Sequence, residues 1–142
     1  MEKHQFSIAI NAPREKVWNV LWDNDSYQQW TSVFSEGSRV ETDWKKGSKA
    51  LFLNADRDGM LAIIDENIPN EFMSFRHVGE VKKGVEENAS QDWVNSHENY
   101  RLTDNNGKTT LLVEMDITAE WKEYFDKTFP QALAKVKELA EA

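Results

Sequence analysis

The sequence predicts an α+β fold: a curved antiparallel sheet of about six to seven strands wrapped on one long C-terminal helix, with two short helices after the first strand. Three observations carry that expectation. The middle of the chain alternates apolar and polar residues in short runs separated by turn residues, the mark of half-buried strands in a meander. One of those turns, "NNG" at 105–107, supplies the residues that accept positive φ in a tight hairpin. From Trp121 onward the apolar residues recur at three-four spacing, as a long amphipathic helix requires. A sheet and a helix of this kind must cover each other's apolar faces, and a sheet curving around the helix leaves room for an interior gap.

The first strand is "HQFSIAI", with Phe6, Ile8 and Ile10 on one side. Asn11 and Pro13 then mark a helix start, because the N–H that proline lacks has no partner in a first turn anyway. Val17, Trp18, Val20, Leu21 and Trp22 leave that helix little polar face, so it should be mostly covered. "DNDS" breaks it, and Asp25 with Gln28 resembles a capping box opening a second short helix through Tyr27 and Trp30. From about Ser38 the pattern is extended: "SRVETD" ends at "WKKGSK", "KALFLNAD" at "RDGM", and "MLAIIDEN" at "IPNE", with Asp65 and Glu66 expected at a strand end in water. "FMSFRHV" follows. Residues 79–96 are mostly polar with Trp93 as the only large aromatic, and read as a long, mobile hairpin loop with room for a helical turn. "ENYRLTDNNGKTTLLVEMDIT" is the clearest hairpin, with Leu111, Val113, Met115 and Ile117 lining one face of its second strand. In the last helix Pro130 removes one hydrogen bond and crowds the carbonyl of Asp126, which predicts a kink or a restart capped by Thr128 and Gln131.

At 142 residues the chain is expected to form a single domain, 1–142. Its formal charge of -8 opposes binding to nucleic-acid phosphates and to anionic membranes. With no cysteine and no signal-peptide pattern, a soluble cytoplasmic protein is expected. Apolar runs such as "MLAII" are far too short to cross a bilayer. The standard spacings for phosphate loops, dinucleotide folds, nucleophile elbows and zinc peptidases are missing. His4, His77 and His97 would need scattered carboxylates to hold a metal, so neither metal nor cofactor is expected. Lys49 lacks the glycine spacing of a phosphate loop, and residues 56–59 have too few downstream ligands for calcium.

Strand alternation singles out one polar constellation. With Met73 and Phe75 inward, His77 shares their face; with Tyr100 and Leu102 inward, Glu98 joins them. His77 and Glu98 would then meet near the mouth of a cavity, with Tyr100 close by. They would serve as a polar anchor or as a general base with its orienting partner; a plain surface pair is the structural alternative. Arg76, Arg101, Ser74 and Asn99 fall on the other face as solvated cross-strand neighbours. A register slip of one residue would exchange the roles and make Arg76 the pocket cation. On the long helix, Trp121, Tyr124, Phe125, Phe129 and Leu133 are candidates to line a cavity, or to fill a packed core.

Four segments together resemble the START-like (Bet v 1-like, SRPBCC) helix-grip superfamily: "NAPREKVWNVLWDNDSYQQW", the "WKKGSK" turn, "ENYRLTDNNGKTTLLVEMD" and "KEYFDKTFPQALAKVKELAE". More narrowly, they look like the branch related to the C-terminal domain of the activator of Hsp90 ATPase. The matching positions are Pro13, Val17, Trp18, Trp30, Trp44, Gly47, Gly107 and Thr109. The resemblance implies a V of two short helices supporting the long one, with Trp18, Trp22 and Trp30 as the filler. It also implies a cavity between sheet and long helix, used in various members for lipids, polyketides, hormones or other hydrophobic molecules. The activators themselves use the domain to contact Hsp90, but the chain has no room for their separate N-terminal domain. The leading expectation is therefore binding of a small, mostly hydrophobic molecule without a cofactor. An enzyme resembling polyketide cyclases or aromatases is the second expectation, and a protein-interaction module with a chaperone partner the third.

Overall fold

A computed structural model describes all residues, Met1–Ala142. The elements run β1 (Glu2–Ile10), α1 (Arg14–Trp22), α2 (Asn24–Thr31), β2 (Arg39–Glu41), β3 (Lys49–Leu53), β4 (Gly59–Ile68), β5 (Phe72–Lys82), β6 (Val85–Asn88), β7 (Ser96–Asn105), β8 (Lys108–Ile117) and α3 (Ala119–Glu141). One antiparallel sheet has the order β1-β8-β7-β5-β4-β3-β2, and β6 adds to β5 as an eighth strand. This is the α+β helix-grip architecture that the sequence predicts. Alternation along β8 shows how the core is built. Thr109, Leu111, Val113, Met115 and Ile117 are buried against the helices, and the residues between them are not.

Pro13 sits as the N-cap of α1, with extended backbone, and its carbonyl accepts the first helical bonds from Lys16 and Val17. Thr109, the threonine after the β7–β8 turn, donates its hydroxyl to the Ala12 carbonyl at 2.7 Å and so ties that hairpin to the helix start. Asp23 is both the C-cap of α1 and the N-cap of α2, which makes it the apex of the V. The capping box expected from Asp25 and Gln28 is not formed: α2 begins at Asn24, which leaves Asp25 in the first turn. Ser26 instead donates to the Asn19 and Asp23 carbonyls. Trp30 Nε1 donates to the Leu21 carbonyl at 3.1 Å, closing the V on itself.

α3 runs without a break through Pro130, so the expected restart does not occur. Thr128 is buried within the helix, and Gln131 donates to the Lys127 carbonyl rather than capping. The physical reason is packing on both sides of the proline. Phe129 before it and Ala132, Leu133 and Val136 after it are buried in the same core, which offsets one lost helical bond. The C-terminal end is fastened to the β1–α1 corner: Asn11 N donates to Glu141 Oε2 at 2.8 Å and Lys137 Nζ to the Ala9 carbonyl at 3.2 Å.

Two further expectations are corrected in the middle of the sheet. Residues 79–96 are not one long loop. β5 continues to Lys82, turns at Lys83 and Gly84 (φ 51° and 82°), and β6 returns beside it. Residues 91–95 then form a turn in which Val94 N bonds to the Ser90 carbonyl, so the expected helical turn is present there. Asp65 is not at a strand end either. It is the extra residue of a β-bulge inside β4, between the pairs Ile64–Phe75 and Glu66–Ser74.

Trp22 occupies the middle of this arrangement. Its ring lies 5.0 Å from that of Tyr100, 5.3 Å from Trp44 and 5.5 Å from Phe75, in tilted or edge-on contacts. Trp30 is equally enclosed, while Trp18 is only half-buried and touches the core through Trp22. Trp22→Ala should therefore cost about 3–5 kcal/mol of stability in urea unfolding; a loss below about 1 kcal/mol would remove Trp22 from this central role.

Candidate functional site

The pairing of β5 with β7 decides what faces the interior. Met73 pairs with Tyr100, Phe75 with Glu98 and His77 with Ser96. His77 is the last β5 residue bonded to β7. At Val78 the strand bulges and changes partner to β6, so His77 stands at the point where the sheet divides. Its Nε2 lies 3.1 Å from Glu98 Oε1, and the Tyr100 hydroxyl donates to the other oxygen of the same carboxylate. A carboxylate offers only acceptors, which places the His77 proton on Nε2 and leaves Nδ1 without a partner. All three side chains are largely enclosed: His77 is 8% and Tyr100 2% exposed, and the Glu98 side chain 17%. Burial first, then the charge and hydrogen bond of Glu98, push the Tyr100 hydroxyl well above its ordinary pKa of 10.0. Burial and the Glu98 charge act on Tyr27 in the same direction.

This chain borders an open pocket of about 860 Å³ between the inner sheet face and α3. Phe75, His77, Glu98 and Tyr100 line it from the sheet, and Trp121, Tyr124, Phe125 and Phe129 from α3. Leu133, also expected there, is packed in the core and does not line it, and neither does Met73. It is buried in the core, because alternation selects a face of the sheet but not the part of that face left uncovered. The α3 rings are graded along the helix. Trp121 is 51% and Tyr124 39% exposed at the rim, Phe125 is half-buried, and Phe129 is fully enclosed between Phe6 and Phe34. The Tyr124 hydroxyl reaches the Phe34 carbonyl at 3.1 Å. Sequence reasoning missed Phe34, Phe52 and Trp93 as lining residues. For Phe52 a signal existed: it alternates with Ala50, the fully buried residue of β3.

The outer face holds the residues assigned to it, but they are tied to one another rather than simply solvated. Asp65, pushed outward by its bulge, accepts from Arg76 Nε at 3.2 Å and lies 3.0 Å from His97 Nε2. Arg76 also donates to Asn95, so it is not a pocket cation. Ser74 is buried against Asn99, with 2.5 Å between their side-chain oxygens, and Arg101 stacks on the Phe72 ring at 4.4 Å.

A profile of the family described as "Activator of Hsp90 ATPase homolog 1-like protein" matches residues 11–141. No curated protein matches the chain. Among solved structures, the Aha1 dimer from Colwellia psychrerythraea is similar at 17% identity and a TM-score of 0.78, covering 99% of this chain and 97% of that one. CalU16 from Micromonospora echinospora is similar at 16% identity and a TM-score of 0.69, over 97% of this chain and 65% of that one. DynU16, a protein of the dynemicin biosynthetic locus, is similar at 15% identity and a TM-score of 0.75, over 100% of this chain but only 48% of its own. At these identities the likeness is one of fold. No helix is long and apolar enough to cross a membrane.

The raised tyrosines make stability depend on alkaline pH. The fold holds Tyr27 and Tyr100 protonated where the unfolded chain, with its ordinary value of 10.0, releases the proton. Their contribution is whole below about pH 10 and falls progressively above it. Urea midpoints between about pH 9.5 and 11.5 should therefore fall more steeply for the wild type than for Tyr100→Phe. Parallel slopes would contradict the assignment.

Proposed function

The chain belongs to the activator of Hsp90 ATPase homolog 1-like family, and from that premise we propose that it binds a small, mostly hydrophobic molecule in the pocket between the sheet and α3. One observation carries the reading: an open recess walled by aromatic rings contains a single, nearly buried polar chain, His77–Glu98–Tyr100. Ligand sites commonly combine an apolar wall with a few convergent polar groups in a volume of several hundred Å³. The rings supply area and the polar chain fixes orientation. The exposed Trp121 and Tyr124 would gain cover when the pocket is filled. The setting we propose is the cytoplasm.

The unpartnered Nδ1 of His77 favours a second reading, an acid–base enzyme on the same pocket. Its Nε2 is held by a carboxylate, which is how a general base is oriented, and Nδ1, covered by its neighbours here, would have to be uncovered to take a proton. The likeness to DynU16, from a biosynthetic locus, is compatible with that reading.

A neutral aromatic probe, N-phenyl-1-naphthylamine, tests the pocket through its fluorescence. Saturable one-to-one binding is expected, weakened several-fold by Trp121→Ala with little change in melting temperature, because that ring is half exposed. Absence of saturable binding would turn the assignment to protein interaction, with an Hsp90 pull-down as the next step. Once a natural ligand is in hand, His77→Ala separates the two pocket readings. A binder loses little affinity, whereas an acid–base enzyme loses about 10²–10⁴-fold in rate.

A further inference from the structure

We infer that the ligand of this pocket is a cationic amphiphile, an apolar body carrying a basic nitrogen that is protonated at neutral pH. The inference rests on the reading of the pocket as a ligand site. Glu80, Asp92, Glu98 and Glu120 line the recess, and no lysine or arginine does. Asp58 and Asp116 also border it, but their carboxylates accept from the backbone N–H groups of Lys83 and His97. The chain has 17 basic and 25 acidic residues, so four carboxylates at that ratio would be accompanied by about three cations. The positive groups have been left out of this wall. The cations that come near it answer from outside, as Lys82 does for Glu80 at 3.7 Å.

The hydrogen-bonding capacity at the polar chain has the same bias. His77 and Tyr100 both spend their protons on Glu98, and what they leave over are lone pairs. Of the two lining atoms without a partner, His77 Nδ1 and Trp22 Nε1, both are covered by their neighbours. Within the polar chain the group a ligand can reach is therefore Glu98, which keeps 17% of its side chain exposed and can accept further bonds. A ligand head that donates and is positive completes this site; a carboxylate or phosphate head meets like charge, with only neutral hydroxyl and indole donors such as Ser35, Ser38, Ser90 and Trp93 to answer it. The wall of rings suits the same head, because indole and phenyl faces attract an ammonium group once water is excluded.

Three probes with the same twelve-carbon chain separate head-group charge from chain burial: dodecylamine, dodecanol and dodecanoate. Each is titrated below its micellar concentration, at low ionic strength, against bound N-phenyl-1-naphthylamine. Dodecylamine should displace the dye at a concentration about tenfold or more below dodecanoate, with dodecanol between them, and added salt should narrow the gap. Glu98→Gln should narrow it too. Glu138→Gln removes the same charge from the exposed face of α3, 3.6 Å from Lys135, and should leave it unchanged. Should Glu98→Gln fail to fold, Asp92→Asn at the exposed edge of the pocket serves instead. Dodecanoate binding as well as dodecylamine, or equal narrowing in the pocket and surface variants, would overturn the inference and leave the pocket standing. If dye and all three probes fail to bind, the pocket reading itself falls, and the cationic ligand with it.

Discussion

Trp22 is the last residue of α1, yet its ring is shared by parts of the chain far apart in sequence. It meets Trp44 in the β2–β3 connection, Phe75 in the middle of β5 and Tyr100 in β7. These contacts are mutual, so the height of the helical V above the sheet, the path of the connection and the spacing of two central strands are fixed together. The backbone bears a cost for it. Trp44 holds a positive φ of 65°, a region that side chains with a Cβ disfavour, and Asn67 secures its carbonyl at 2.7 Å. Because Phe75 and Tyr100 also line the pocket, the contact that stabilises the core also positions one wall of the recess.

The two faces of the same strands carry two carboxylate networks of different consequence. Outside, Asp65 serves Arg76 and His97, whose side chains are 34% and 40% exposed, and water can replace any member at small cost. Inside, Glu98 serves His77 and Tyr100 with little solvent to substitute. Removing either donor there leaves an under-paired charge in an apolar wall, which is far more costly than losing the favourable bond itself. The difference comes from burial rather than from the residues involved, since both networks pair a histidine with an acid.

Periodicity made a good part of this arrangement readable. Alternation placed His77, Glu98 and Tyr100 on one face and Arg76 on the other, because neither the β5 nor the β7 stretch through these residues contains a bulge. On β4, the neighbour of β5, Asp65 was expected at a strand end, and no alternation could show the inserted residue that turns two consecutive side chains outward within the strand. β6 was invisible for a different reason. All four of its residues are exposed, so an edge strand there has no apolar face to alternate with. Gly79 and Gly84 gave the only hint of it. A Cβ at Gly79 would lie 2.3 Å from the Glu87 carbonyl oxygen, and Gly84 takes the left-handed position of the turn. Met73 shows the limit of facing arguments: it points the right way, but to a rung that the core already fills.

Why the recess stays open is a question about α3. The rings at 121, 124, 125 and 129 follow helical spacing, and burying all four would favour a helix laid flat on the sheet. The ends of the helix prevent that. At its C-terminus Glu141, Lys137 and the small residues Ala132 and Ala140 let the helix lie close against the β1–α1 corner. At the middle of the helix Phe129 stacks on Phe6 at 4.9 Å and meets Phe34 at 5.0 Å. That stack is a spacer as much as a contact: ring thickness, unlike a flexible side chain, cannot be compressed. Beyond it α3 leads back to β8 through a single residue, Thr118, so the first two turns cannot swing freely toward the sheet. The apolar area left bare on Trp121 and Tyr124 is therefore the consequence of a well-packed stack two turns away, and closing the recess would require dismantling a contact already made.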